Sequence, residues 1–196
     1  MPIVVVTGSP GAGKTTLLER MRGFNGLEIV NLGSVIASYA IKKGYVKTKD
    51  ELKAHDEVRF LEKDPKMMEE LQTYAFTSVG AMRGKILLDT HVSVKAGKRY
   101  MPGLPYKYIK LLGSLAGFIY IDVDTDTVIK RREADKKRVR MDLDALEIDA
   151  QRIINLSELS YHSAYAGVPL YIIENAQGKL DESEAELKKA VAELFG

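Results

Sequence analysis

The chain has 196 residues, of which 45% are hydrophobic and 29% are charged, and it contains no cysteine. This length suits one α/β domain and is short for two, so we expect a single domain over residues 1–196. A formal net charge of +2 excludes a global field that would attract nucleic acid or membranes, and the lack of cysteine excludes disulfides and thiolate metal sites. No apolar run is long enough to span a bilayer and no signal-like segment opens the chain, so we expect a soluble, cytoplasmic protein.

The run IVVVTGSPGAGKTT at residues 3–16 leads from an apolar strand into Gly8-x-x-x-x-Gly13-Lys14-Thr15. This is the P-loop pattern, in which glycines let successive backbone N–H groups point into one concavity at a helix N-terminus. Lys14 supplies a mobile charge to the outer phosphates, and the Thr15 hydroxyl is placed to ligate magnesium. The residues predicted to bind a nucleoside triphosphate are Gly8, Ser9, Pro10, Gly11, Ala12, Gly13, Lys14, Thr15 and Thr16.

Apolar runs alternate with helical patterns along the chain, which predicts an α/β fold with a parallel sheet covered on both faces. The predicted strands are Ile3 to Val6, Leu27 to Val30, Lys85 to Leu88, Phe118 to Val123 and Leu170 to Ile173. The capping box Thr48-Lys-Asp-Glu51 opens a helix, and Pro65 divides that region into two helices. The last helix is expected to begin near Asp181 or Ser183.

The third predicted strand ends in Asp89, whose carboxylate can face a magnesium ion as in Walker B arrangements. His91 and a basic, aromatic-bearing segment follow at once, and such a segment suits a second phosphate-bearing substrate. Its further members are Lys95, Lys98, Arg99 and Tyr100. Residues 97–105 carry two glycines and two prolines, which predicts an ordered loop.

Seven basic residues crowd together after the fourth strand, and we interpret this segment as a small mobile lid at about residues 130–143. They are Lys130, Arg131, Arg132, Lys136, Lys137, Arg138 and Arg140. Arginines three and four apart share one helical face, and a face that follows a strand end can fold over bound phosphates. Phosphoryl transfer needs positioning, guanidinium charge and exclusion of water, and this segment offers all three.

A P-loop by itself does not separate kinases from GTPases or nucleic-acid motors. The Asp-x-x-Gly switch and the Asn-Lys-x-Asp guanine reader are both absent from the sequence, which argues against a switch GTPase. There is no broad basic face with interleaved aromatics, so a motor on single-stranded nucleic acid is disfavoured.

With these segments placed, the chain resembles the archaeal type of adenylate kinase over nearly its whole length. The strings that carry the resemblance are VVVTGSPGAGKTT at 4–16, VNLGSVI at 30–36, LLDTHVSVK at 87–95, YMPGLP at 100–105 and RREADKKRVRMD at 131–142. The resemblance implies magnesium-dependent, reversible transfer of the ATP γ-phosphoryl to AMP, giving two ADP. It also implies a P-loop NTPase fold with strand order 2-3-1-4-5, a helical acceptor insert at about 31–80 and, often in this group, a homotrimer.

The resemblance also assigns residues to roles. It implies that Lys14, Arg131, Arg138 and Arg140 are catalytic, that Thr15 and Asp89 hold the metal, and that Asn175 follows the last strand beside the adenine of ATP. For AMP it implies Ser34, Gln72, His91 and Lys95. From the net charge and the lack of a long apolar run we expect no nucleic acid or membrane as partner. The acceptor arginine corresponds to Lys53 or Arg59, and we favour Arg59 because a guanidinium grips phosphate in a bidentate manner.

Two departures from the family pattern leave alternatives open. The helix after the lid has Leu156 where a phosphate-binding arginine is often found, and Arg152, one turn earlier, can substitute for it. The acceptor region is longer than the family pattern, which leaves base selectivity open. A nucleoside monophosphate kinase of broader base specificity is therefore an alternative. A P-loop ATPase acting as an RNA- or ribosome-assembly factor is the alternative from another functional class.

Overall fold

The computed structural model describes residues 2–49, 51, 64–134 and 144–196. The strands are β1 (Ile3–Gly8), β2 (Leu27–Asn31), β3 (Lys85–Asp89), β4 (Ser93–Ala96), β5 (Arg99–Pro102), β6 (Leu115–Asp122) and β7 (Leu170–Glu174). The α-helices within the described ranges are α1 (Lys14–Arg20), α2 (Leu32–Lys42), α3 (Pro65–Gly80), α4 (Tyr106–Ile109), α5 (Thr125–Ala134), α6 (Ala145–Ala166) and α7 (Leu180–Phe195). Short 3₁₀ helices cover Phe24–Gly26 and Lys110–Leu112.

Five parallel strands form the central sheet in the order β2-β3-β1-β6-β7. Counted among these five strands alone, the order is the expected 2-3-1-4-5, and the extra pair β4 and β5 only shifts the chain numbering. All six residues of β1 are buried, because this central strand is covered on both faces. Ile3 and Val5 pack into one core layer, whereas Val4 and Val6 pack into the other.

The prediction of a loop over residues 97–105 is wrong for part of that segment. β4 and β5 form an antiparallel hairpin in which Lys95 pairs with Tyr100, and β5 extends to Pro102. Gly97 takes a φ of 59° at the first of the two residues that connect the strands, a position where hairpins favour glycine. The density of glycine and proline indicated a loop. The four-residue strands on either side of Gly97 and Lys98 nevertheless suffice for a hairpin.

One expected helix boundary is confirmed and another is corrected, whereas the helix predicted to open at Thr48 falls mostly outside the described residues. Pro65 is the first residue of α3, and the carboxylate of Asp64 caps the helix by accepting the Met67 N–H at 3.0 Å. The last helix begins at Leu180, before the predicted Asp181 or Ser183. The Ser183 hydroxyl does not cap it but lies 2.9 Å from the carbonyl oxygens of both Glu174 and Lys179, which share its single proton.

The helices α2 and α3 pack against each other beside the edge of the sheet. Ala40 and Leu71 are fully buried in a small apolar cluster between them. Among the described residues, no helix combines the length and apolar character needed to cross a membrane.

Gly80, at the end of α3, offers a test of this packing. A Cβ built there would lie 2.1 Å from the carbonyl oxygen of Leu111, so the helix or the 3₁₀ turn beneath it must shift. We expect Gly80→Ala to lower the free energy of unfolding by about 1–3 kcal/mol, measured by urea denaturation. The exposed Thr77→Ala on the same helix is the control and should change it by less than about 0.5 kcal/mol.

Candidate active site

The segment between β1 and α1 has the backbone conformation that an anion-binding loop requires. Gly11 and Gly13 have φ values of 101° and 84°, which other residues rarely adopt. Gly8 is needed for a different reason, since a Cβ there would lie 2.6 Å from the carbonyl oxygen of Ile121. The loop ends at the N-terminus of α1, where N–H groups and the helix dipole favour phosphate.

Two side chains from other elements pack against the loop. Asn175, just after β7, is 2% exposed, and its Nδ2 donates to the carbonyl oxygen of Ala12 at 2.7 Å. Arg131 on α5 donates through Nη1 to the same oxygen at 3.2 Å and through Nη2 to the carbonyl oxygen of Asn175 at 2.9 Å. Burial lowers the pKa of Arg131 from its ordinary value, although the group stays charged at physiological pH. The structure therefore brings both predicted residues to the loop.

Lys14 lies at the centre of the site. It is 9% exposed, and its ammonium forms an ion pair with the carboxylate of Asp89 at the end of β3. Desolvation of the buried ammonium lowers the pKa of Lys14 to about 8. The second carboxylate oxygen of Asp89 accepts a hydrogen bond from Asn31 Nδ2 at 2.7 Å.

Asn31 links the loop side of the site to α2. Its Oδ1 accepts the N–H of Ser34 at 2.9 Å and so caps this helix, while its Nδ2 contacts Asp89. Asn31 thus connects the predicted residue Ser34 to Asp89 through two hydrogen bonds. Asn31 was missed by the sequence analysis, although its position directly before a helix is a common signal for a cap.

The other predicted acceptor residues are more dispersed. His91 is exposed two residues beyond Asp89, and Gln72 is half-buried on α3. The ammonium of Lys95 on β4 forms an ion pair with Glu147 of α6, so a phosphate would compete with this carboxylate. Arg59 and its alternative Lys53, together with Arg138, Arg140 and the segment 135–143 of the predicted lid, lie outside the described residues.

A groove of about 510 Å³ opens along the edge strand β2, between α2 and α3. Ser34, Ser38 and Tyr74 line it, and the ring of Tyr74 stacks on Tyr39 with the centroids 3.5 Å apart. Gln72, His91 and Lys95 are not among the groove residues. Of the predicted acceptor residues that the structure describes, the groove therefore contains Ser34 alone.

A polar network lies on the β6 side of the loop. The hydroxyls of Ser9 and Tyr120 are 2.8 Å apart, and Arg152 on α6 forms a bidentate ion pair with Asp122 at 2.7 and 2.5 Å. This hydrogen-bonded carboxylate raises the pKa of Arg152 further above its ordinary value. Arg152 is thus positioned at the carboxyl end of β6, with its charge balanced by Asp122.

The oxygen atoms at this edge suit a hard divalent cation. Asp89 supplies a carboxylate, and the exposed Thr15 supplies a hydroxyl at the first turn of α1. Within the part of the chain that the structure describes, no three histidine or acidic side chains form a metal cluster. Two protein ligands together with phosphate oxygens and water are typical of magnesium at a nucleotide site.

Comparison with known proteins gives a consistent result. A family model described as an AAA domain matches residues 7–149. A protein named adenylate kinase from Thermoplasma acidophilum is 34% identical over 96% of this chain and 97% of its own length. Adenylate kinases from Methanothermobacter thermautotrophicus and Pyrococcus furiosus are 28% and 31% identical, over 97% and 95% of this chain and 100% and 93% of their own.

Solved structures with the same fold are more distant in sequence. A shikimate kinase from Bacteroides thetaiotaomicron superposes with a TM-score of 0.52 at 19% identity, covering 97% of this chain and 98% of its own. A gluconokinase from Sinorhizobium meliloti gives 0.52 at 16% identity, covering 98% and 93%. At such identities these likenesses show the fold alone.

The lowered pKa of Lys14 predicts a pH dependence of anion binding. Phosphate binds the protonated ammonium, so affinity for inorganic tripolyphosphate should fall as pH rises through about 8, where the free protein loses that proton. Binding at about pH 9 should then take up a proton, as measured by calorimetry in buffers of different ionisation enthalpy. In the Lys14→Arg variant, protons taken up or released by tripolyphosphate itself are the same, but the guanidinium is already charged at this pH. The variant should therefore take up fewer protons on binding than the unmodified protein. Equal uptake by both proteins would contradict the assignment.

Proposed function

This chain belongs to the adenylate kinase family, and we propose that it binds its two nucleotides at the carboxyl edge of the sheet, on either side of Asp89. The reaction is the transfer of the γ-phosphoryl of ATP to AMP, which gives two ADP and is reversible. The observation that carries the site assignment is the ion pair between Lys14 of the P-loop and Asp89. Asp89 also accepts a hydrogen bond from Asn31, the residue that caps α2.

We propose that ATP binds along the loop and the first turn of α1. The N–H groups of the loop hold its phosphates, Lys14 contacts the outer phosphates, and Asn175 lies beside the nucleoside. Support comes from the two left-handed glycines and from the side chains that fix the loop from α5 and β7. The proposed ATP-binding residues are Gly8, Ser9, Pro10, Gly11, Ala12, Gly13, Lys14, Thr15, Thr16 and Asn175.

AMP, in this proposal, binds on the α2 side, within the acceptor insert at about 31–80. The N-terminus of α2 favours its phosphate, and the cap from Asn31 fixes this terminus next to Asp89. The proposed AMP-binding residues are Ser34, Arg59, Gln72, His91 and Lys95. Lys95 exchanges Glu147 for the acceptor phosphate as AMP binds.

In the transfer step an oxygen of the AMP phosphate attacks the γ-phosphorus of ATP in line with the bond that breaks. The bond between the γ-phosphorus and its bridging oxygen is cleaved, and ADP leaves with that electron pair. Lys14 leaves Asp89 and neutralises charge on the transferred group. Before ATP binds, the ion pair with Asp89 holds the ammonium in place. Arg131, Arg138 and Arg140, of a lid at about 130–143, complete the charge and exclude water.

The proposal also covers the magnesium ion, the number of subunits and the cellular compartment. Thr15 and Asp89 would hold a magnesium ion, which supplies charge neutralisation between the outer phosphates when bound. We propose a cytoplasmic homotrimer on the basis of the family resemblance. Exposed tyrosines on α6, Tyr161 and Tyr165, offer aromatic surface for such contacts, and light scattering at several concentrations would measure the subunit number.

The acceptor is identified by a coupled assay with ATP and each of AMP, CMP, UMP and GMP. AMP should give the highest kcat/KM, and comparable values for all four would replace the proposal with a broad-specificity kinase. No transfer to any of them, combined with RNA binding that falls steeply with salt, would favour the assembly-factor alternative.

Replacing Lys14 tests its role in transfer. Because Lys14→Ala removes the charge that accompanies the transferred phosphoryl, kcat should fall by roughly a thousandfold. Lys188→Ala is the matched control, since this lysine pairs with Glu184 within α7, a helix that carries none of the proposed site residues, and its loss should leave kcat unchanged. Near-normal turnover in Lys14→Ala would refute the assignment.

A further inference from the structure

Arg132, next to the predicted Arg131, is a charged residue for which the sequence analysis gave no separate role. It is 6% exposed, although it lies near the end of a helix in a basic segment. Its Nε and Nη2 both donate to the carbonyl oxygen of Pro10, at 3.2 and 2.8 Å. Its side chain also lies against Gly11, where a Cβ would meet Nε at 3.6 Å.

Three side chains thus contact three carbonyl groups of the P-loop. Arg132 holds that of Pro10, Asn175 and Arg131 hold that of Ala12, and Arg131 Nη1 also lies 3.5 Å from that of Gly11. The N–H of the peptide between Gly11 and Ala12 is used within the loop, where Ala12 N donates to Ser9 O at 3.0 Å.

The planarity of the peptide bond gives these contacts a directional effect. In a trans peptide, the carbonyl oxygen of one residue and the N–H of the next point in opposite directions. Holding the Pro10 oxygen toward α5 therefore turns the Gly11 N–H away from this helix. In the same way, holding the Ala12 oxygen turns the Gly13 N–H away from Asn175.

Such restraint matters because the loop is rich in glycine. Without it, the peptides around Gly11 would sample many orientations, and phosphate binding would have to order them. Donors that already point to the anion bind it without that cost.

We propose that Arg132 is a positioning residue for donor-phosphate binding, which acts by anchoring the Pro10 carbonyl so that the Gly11 N–H faces the phosphates. It does not itself need to touch the nucleotide. The inference rests on the proposed function only in taking the P-loop as the donor site.

The test compares Arg132→Met, Arg132→Lys and the control Arg20→Met by calorimetry with inorganic tripolyphosphate and, separately, with AMP. Arg20 is a partly exposed arginine on α1 that pairs with Asp181 and Glu184 of α7, away from the loop carbonyls. Arg132→Met should weaken tripolyphosphate binding on the order of thirtyfold, the range for hydrogen bonds from a charged donor, and change AMP affinity by less than about twofold. Arg132→Lys retains one donor and should lose less, and Arg20→Met should bind both ligands normally.

A merely structural role predicts a different pattern. The thermal unfolding temperature would fall, while the folded variant would bind tripolyphosphate within about twofold of the unmodified protein, and this result would overturn the proposal. If Arg132→Met does not fold, the folded Arg132→Lys decides through amide NMR, because the phosphate-induced shift of the Gly11 N–H should shrink and an unchanged shift would contradict the proposal. Tripolyphosphate binding requires no transfer, so failure here is distinct from failure of the kinase assay.

Discussion

The contact between the Lys14 ammonium and the Asp89 carboxylate is the interaction on which the site depends. It is set by the sheet, since β1 and β3 pair in parallel with Val6 opposite Asp89, and β2 and β3 pair with Asn31 opposite the same residue. The register therefore brings the P-loop lysine, the Asp89 carboxylate and the Asn31 cap of α2, the helix that we propose to bind the acceptor, to one edge. A shift of β3 by one residue would turn the carboxylate to the other face of the sheet.

This arrangement gives the proposed donor and acceptor sides of the enzyme a common residue, Asp89. Asp89 holds Lys14 through one oxygen and Asn31 through the other, so any ligand that takes up this carboxylate changes both contacts. The loop is held on its opposite side by Arg131, Arg132 and Asn175. In this account phosphate meets loop donors that are already oriented, and Lys14 is the loop residue that we infer to move, because it leaves Asp89.

The sequence was sufficient for features that depend on local patterns. Continuous apolar runs and the P-loop spacing predict the sheet and the donor loop, and Asp89 follows from its place at a strand end. Asn31 and Arg132 could not be assigned in this way, because their contacts depend on the register of two strands and on the packing of α5 against the loop. The hairpin at residues 93–102 was missed because its turn residues outweighed the short strands beside them.

The most direct test of this account is a crystal structure with two adenosines joined by a polyphosphate chain, an inhibitor that spans both nucleotide sites. We predict that the phosphates lie at the N-terminus of α1, with Lys14 Nζ on their oxygens and no longer on Asp89. The same structure should place the second adenosine between α2 and the carboxyl end of β3. An inhibitor bound elsewhere, with the Lys14 and Asp89 ion pair intact, would contradict the central claim.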